Sequence, residues 1–223
     1  SGSLEETASE IDRLGGTAVP VACDHGDDAQ VGDLFELILG SHERLDVLVN
    51  NAFRAPETLD PSVPFWETPI SHWDEMMDIG TRSAYVATHY AARSMVRQGS
   101  GLVVNISSAG AVRYFHHLAY GVGKGALDRI TKEAAYTLRP HGVAIVSLWP
   151  YLVKTERVLA VAGLAMPDAE SLRFPGKAVV ALASDPEVDR WNGRAVTTWD
   201  IAREYDFVDE GGCLPVEPRW RPL

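Results

Sequence analysis

The stretch LVVNISSAGAVRYFHHLAYGVGK, residues 102–124, decides how this chain is read. Its first five residues, Leu102-Val103-Val104-Asn105-Ile106, make the near-continuous apolar run of a strand covered on both faces. Ser107, Ser108 and Gly110 follow, then a short loop, then Tyr120 and Lys124. In a helix that opens near Tyr120, Lys124 lies one turn on along the same face. Gly121, Gly123, Gly125 and Ala126 leave that segment free to lie close to a neighbour. An unperturbed phenol has a pKa of about 10. A cation beside it favours the phenolate and lowers that value, towards the range of a working general acid or base. A serine at the end of the adjacent strand adds a second hydrogen bond to the same reacting oxygen. By itself a Tyr-x-x-x-Lys spacing is common, and Ser-Ser after a strand is more often a turn or a cap. Strand, serine and then Tyr-x-x-x-Lys at a helix start is a far more specific combination.

Outward from that stretch, apolar strands alternate with helical patterns. Residues 3–14 carry Leu4, Ala8, Ile11 and Leu14 at helical spacing, and Gly15-Gly16 ends the element. Residues 17–23 read as a strand, Asp24-His25-Gly26-Asp27 as a turn, and Asp27 or Asp28 as the cap of a helix reaching about His42. Further strands are expected at 45–50, 101–106 and 143–149, with an edge strand at 194–198. Helices are expected at 71–98, capped by Ser71, at 120–139, stopped by Pro140, and at 176–184. The proline-rich stretch 53–68, the weakly patterned 155–171 and the tail from Tyr205 are irregular. This alternation predicts one α/β domain over residues 1–223: a Rossmann-like, doubly wound parallel sheet in three layers, with 205–223 as an extension. In such sheets ligands bind beyond the carboxyl ends of the strands. Asp24, Asn50, Ser107, Ser108 and Pro150 all fall there.

Composition narrows the function. The 223 residues suffice for one sizeable core. The formal net charge of −11 argues against nucleic acid and anionic membrane surfaces as partners. No apolar run has the length of a membrane span. The two cysteines, Cys23 and Cys213, read as thiols of a reducing compartment rather than a disulfide. His116 and His117 lack further ligands at metal-binding spacing and read as loop residues. Trp66, Trp73 and Trp149 read as packing groups.

Four segments in order resemble the short-chain dehydrogenase/reductase family. They are Asn50-Asn51-Ala52 after one strand, serine after the next, Tyr120-x-x-x-Lys124, and Pro150-x-x-Val153-x-Thr155 after the strand that follows. The resemblance covers nearly the whole chain. The segments NNA, FWETP, YGVGK, VSLWP and GKAVVALA bring it nearest that family's dehydrogenase/reductase member 1 group.

The resemblance implies a cytoplasmic oxidoreductase that moves a hydride between NAD or NADP and a small carbonyl or alcohol. It implies a homodimer or homotetramer built through helices 71–98 and 120–139. Tyr120 is then the acid/base, Lys124 tunes it and holds the nicotinamide ribose, and a serine steadies the substrate oxygen. Counting thirteen back from Tyr120 gives Ser107; keeping the strand register gives Ser108, which is preferred because loops tolerate deletion better than strands. Asp24 answers to an adenine contact with the His25 backbone beside it, and Asn50 and Ala52 to contacts along a ribose. Pro150, Val153 and Thr155 answer to contacts with the carboxamide and phosphate, and residues 156–174 to the substrate lid. Asp78 stands where the family carries an asparagine that feeds water to the lysine. Phe53 and Tyr151 stand at usual glycines, and no glycine-rich turn precedes Thr17, so the chain begins late in the family pattern, without its first βαβ portion. These departures support an alternative: a binding or scaffold protein that keeps the fold without turnover.

Overall fold

The computed structural model describes residues 3–57, 60, 62–115, 117–162 and 169–222, with Arg157, Val161 and Ala162 described by backbone alone. Four strands form one parallel sheet in the order β1-β2-β3-β4: β1 Val47–Asn50, β2 Gly101–Ile106, β3 Val143–Trp149 and β4 Ala195–Thr197. Every residue of β3 is buried, and four of six in β2, as their apolar runs require.

Side chains alternate between two cores. Val103 and Ile145 point to one face, against Val31 and Phe35 of α2 (Asp28–Ser41) and Ala91 and Met95 of α4 (Ser83–Gln98). Leu102, Val104, Ala144 and Val146 point to the other. There they meet Ala178 and Leu182 of α7 (Arg173–Ser184) and Ile201 of α8 (Thr198–Glu204). Each such large apolar side chain contributes about 1.5–3 kcal/mol by leaving water.

One rung of the sheet is polar. Asn50, Asn105 and Ser147 stand side by side on β1, β2 and β3. Asn50 Nδ2 donates to Asn105 Oδ1 (2.8 Å) and to Thr88 Oγ1 of α4 (3.0 Å), and Asn105 Nδ2 donates to Thr131 Oγ1 (2.9 Å). Ser147 Oγ donates to Asp128 Oδ1 (2.6 Å). Thr131 and Asp128 lie on α5 (Leu118–Leu138), so this rung fixes the height and rotation of the helix that carries Tyr120 and Lys124. Buried polar groups that are all paired specify one arrangement more sharply than an apolar layer can.

Several elements differ from their sequence reading. Residues 17–23 are extended and mostly exposed but pair with no strand among the described residues, so no ladder forms there. The helix α1, Leu4–Arg13, is capped by Ser3, and Asp27 caps α2 by accepting from Ala29 and Gln30 N–H groups. Ser71 is not a cap. It is the first residue of α3 (Ser71–Met77), whose turn is started by His72 N–H donating to Pro69 O. The helix from Ser71 to Gln98 is continuous but widens into a π turn at Asp78–Arg82. A seven-residue helix α6 covers Glu156–Ala162, inside the stretch read as weakly patterned. Beyond β4, Thr197 and Asp200 form a capping box that opens α8, which the sequence pattern did not reveal. Within the 156–174 region, residues 163–168 lie outside the described residues, as does His116.

Candidate active site

Tyr120 is in the first turn of α5, and that turn is set by a histidine. His117 Nδ1 accepts from the Ala119 N–H (3.1 Å), while Nε2 lies 3.3 Å from Thr68 Oγ1. Burial, and His72 beside it, hold the imidazole below its usual pKa, which suits the neutral ring that capping needs. His117 is therefore a buried helix cap rather than a loop residue.

At the end of β2 the two serines divide their work. Ser107 is buried and its Oγ donates to Lys124 O (3.1 Å), tying the strand to α5. Ser108 Oγ lies 2.8 Å from Tyr120 Oη, and both groups are half-buried. Gly110 makes this approach possible. A Cβ at that position would stand 2.6 Å from a Tyr120 ring carbon and 3.1 Å from Ser108 Oγ. Gly110→Ala is therefore expected to push the phenol off its place. A shift of about 1 Å at a reacting group lowers turnover by up to roughly 10²-fold. Steady-state kinetics beside an unchanged circular dichroism spectrum check this.

Lys124 follows one turn after Tyr120 and is buried. Its Nζ donates to Ile106 O (2.9 Å) and faces the Phe53 ring, 5.0 Å from the centroid. Burial lowers its pKa to about 8, and Asp128, one turn further along α5, opposes that shift. The Tyr120 phenol does not follow the expectation that Lys124 lowers its pKa. Burial pushes it up, and the Ser108 hydrogen bond only partly offsets this. The ammonium is 5.8 Å from the Tyr120 ring centroid and bonded to Ile106 O, so desolvation of the phenol dominates.

The other site residues sort by position. Asp24 is exposed and braces its own turn, accepting from Gly26 N–H (2.9 Å). His25, Asn50, Asn51, Ala52, Ser83 and Ala84 help line one recess of about 260 Å³ at the end of β1. The Asn50 amide turns inward to the polar rung. Pro150 follows β3, Val153 makes a parallel bridge to Glu170, and Thr155 Oγ1 accepts from Val158 N–H (3.2 Å) near the start of α6.

Asp78 is not brought to Lys124. It is exposed and lines a surface recess with Asp27, Asp28 and Arg82. On that helix Met76, Gly80 and Thr81, all buried, line one small recess with Lys124 and Phe53. A Cβ at Gly80 would stand 2.9 Å from the Phe53 ring. Phe53 and Gly80 are thus a matched pair: the ring fills what the missing side chain leaves, and packs edge-on against Tyr120 (5.6 Å, 78°).

The sequence reading also missed Asp128. Its carboxylate accepts from Ser147 Oγ and from Trp149 Nε1 (3.1 Å), and burial raises its pKa. Its signal was the i, i+4 spacing from Lys124. Among the described residues no group of three His, Cys, Asp or Glu is placed to hold a metal, and no helix is long and apolar enough to cross a membrane.

Known proteins resemble this chain in sequence and in fold. Dehydrogenase/reductase SDR family member 1 of Homo sapiens and that of Mus musculus are each 40% identical to this chain over 227 residues, covering 94% of the chain and 72% of the relative. Cyclopentanol dehydrogenase of Comamonas sp. is 32% identical over 151 residues, 67% of this chain and 58% of that protein. In shape, a crystal structure from Xanthomonas campestris, provisionally assigned as a dehydrogenase, superposes with a TM-score of 0.81 over 98% of this chain and 82% of that one, at 19% identity. The family model of the short chain dehydrogenases matches residues 1–162. On that match and on the 40% identities, the chain belongs to the short-chain dehydrogenase/reductase family of oxidoreductases.

Proposed function

We propose that this protein moves a hydride between NAD(H) or NADP(H) and a small carbonyl or alcohol, with Tyr120 as the acid/base. The observation that carries the reading is the 2.8 Å pair of Ser108 Oγ and Tyr120 Oη at the carboxyl end of β2, with the Lys124 ammonium one turn below. The donor set fits the nicotinamide end of such a cofactor: two hydroxyls for the substrate oxygen and an ammonium within the same turn for a ribose. The cofactor, when bound, supplies or accepts the hydride.

Everything else is work of this chain. Ser108 holds the substrate oxygen by a hydrogen bond. Tyr120, protonated at neutral pH as an ordinary phenol is and pushed further that way by burial, gives its proton to that oxygen as negative charge develops during carbonyl reduction. In the reverse direction the phenolate accepts it. Lys124 holds the ribose and supplies positive charge beside the reacting groups. Val153, Thr155 and Pro150 stand for the carboxamide and phosphate side. His25, Asn50 and Ala52, which share one recess, stand with Asp24 for the adenosine side.

One observation favours the alternative of a binding or scaffold protein. The Phe53 ring closes over Gly80, Thr81 and Lys124 and leaves no room for a water molecule between them. Protein titrated with NADPH and with NADH, then mixed with a carbonyl panel that includes cyclopentanone, separates the two. Oxidation of the reduced cofactor by at least one carbonyl is expected. Tight binding with no turnover favours the scaffold; no binding of either cofactor contradicts both. Tyr85 on α4 and Val122 and Tyr136 on α5 are exposed, which supports association of two or four copies across these helices. Light scattering should give a mass of at least twice 24.3 kDa, and a monomer contradicts the assembly.

A further inference from the structure

We infer that Glu170 is a positioning residue: its neutral carboxyl clamps segment 150–155 to the start of α8, and its ionisation loosens that segment. The inference rests on the proposed function only for its consequence, cofactor binding; the clamp itself is a property of the fold.

Glu170 is 1% exposed and lies behind the segment that follows β3. Its backbone is zipped to that segment by Glu170 N–H donating to Leu152 O (2.8 Å) and Lys154 N–H donating to Glu170 O (3.0 Å). Its side chain adds a third tie. Oε1 accepts from Tyr151 N–H (3.0 Å) and from Thr198 Oγ1 of α8 (2.5 Å). Thr198 is fully buried, so the carboxyl joins three segments in a dry place. Oε2 is buried as well and has no hydrogen-bond partner among the described residues. Among those residues, half of the carboxyl is thus left without a donor. A full negative charge there would be neither solvated nor paired, which is far costlier than an unpaired neutral group.

The surrounding charges point the same way. Asp209, in the tail, is held by the Ser171 N–H (2.8 Å) and hydroxyl, and it repels a second anion at Glu170. The cations on neighbouring elements are engaged elsewhere. Lys177 of α7 donates to Val208 O, and Arg173 pairs with Glu10 and Glu210. Asp200 of α8 pairs with Arg221. Lys154 and Tyr151 lie on the clamped segment itself. Burial first, and Asp209 with it, raise the Glu170 pKa to about 7. A folded-state value above the ordinary carboxylate range means that the native state holds this proton more tightly than the unfolded chain does. The clamp is then complete below the free-carboxylate range and weakens as pH rises through about 7. When Glu170 ionises, water must reach Oε2, and the nearest separable contacts are those to residues 151–154. Residues 150–155 include the three positions, Pro150, Val153 and Thr155, proposed for the cofactor, so its affinity falls with the clamp.

Amide hydrogen exchange of the ligand-free chain, corrected for intrinsic rates, reads the clamp directly. Between about pH 6 and pH 8.5 the ionised fraction of a group with pKa about 7 rises by about tenfold. Protection of the Tyr151 and Lys154 amides should fall by a similar factor in the wild type and stay flat in Glu170→Gln, which mimics the neutral acid. A flat wild-type profile, or the same decline in the variant, overturns the proposal. If Glu170→Gln does not fold, the wild-type Glu170 carboxyl carbon is followed by NMR: titration near neutrality supports the clamp, and titration in the ordinary carboxylate range overturns it. In the cofactor assay between about pH 6 and pH 7.5, below the range in which Lys124 loses its proton, KM for NAD(P)H should rise with pH in the wild type with little change in kcat. An exchange step with no cofactor binding at any pH refutes the proposed function and leaves the clamp standing.

Discussion

Tyr120→Phe is expected to reduce kcat/KM for carbonyl reduction by roughly 10²–10⁴-fold, the usual range for a positioned general acid. The substitution keeps the ring, so its edge-on packing with Phe53 at 5.6 Å survives. It removes one hydroxyl, and Ser108 Oγ still accepts from Gly110 N–H (3.1 Å). Stability should therefore change by no more than about 1 kcal/mol. Cofactor affinity should change far less than kcat, since a proton donor acts in the transition state rather than in the bound ground state. Stopped-flow single turnovers with parallel binding titrations test this. Loss of both in equal measure would assign Tyr120 to binding alone.

Lys124→Met should abolish most activity and at the same time raise stability. The ammonium is buried, and its pKa of about 8 against the ordinary 10.5 records what burial costs the charged form, about 3 kcal/mol. The linkage has a definite sign. The folded state binds this proton less tightly than the unfolded chain, so the penalty grows as pH falls from about 10.5 to about 8 and is fully present at neutrality. Methionine fills a similar volume without charge, while the Ile106 carbonyl loses its donor, at a cost of about 1 kcal/mol. A net gain of about 1–2 kcal/mol in chemical denaturation at pH 7 is expected, shrinking as pH rises above about 8. Activity of the wild type should decline over the same range as the ammonium loses its proton. A destabilised Lys124→Met protein would mean that the ammonium contributes more to the fold than its burial costs.

The parallel sheet and the serine–tyrosine–lysine cluster were legible in the sequence because each rests on local pattern. Apolar runs such as Val143–Trp149 read as buried strands from their composition, and a four-residue spacing fixes one helical face. Strand register distinguishes Ser108 from Ser107, and in the structure the first meets the phenol and the second ties β2 to α5.

What stayed hidden depends on partners distant in sequence. Residues 17–23 have strand composition, but a strand exists only where a neighbour pairs with it. In the π turn at Asp78–Arg82, Gly80 is buried against Phe53 while Asp78 is exposed, and no simple 3.6-residue count anticipates such a widening. Phe53 read as a departure from a glycine; only the fold shows that Gly80 is its complement. The Tyr120 pKa went up rather than down because burial, which no spacing reveals, outweighs a cation bonded elsewhere. Glu170 gave no signal, since its three segments meet only in space.

The central claim is that a hydride reaches a carbonyl carbon while Tyr120 protonates its oxygen. The most direct measurement follows deuterium from C4-labelled nicotinamide cofactor into the product alcohol, in wild-type protein and in Tyr120→Phe. The account predicts label on the carbinol carbon with the wild type and its loss, by two orders of magnitude or more, with the variant. Label transferred equally by both proteins, or by neither although the cofactor binds, would contradict it.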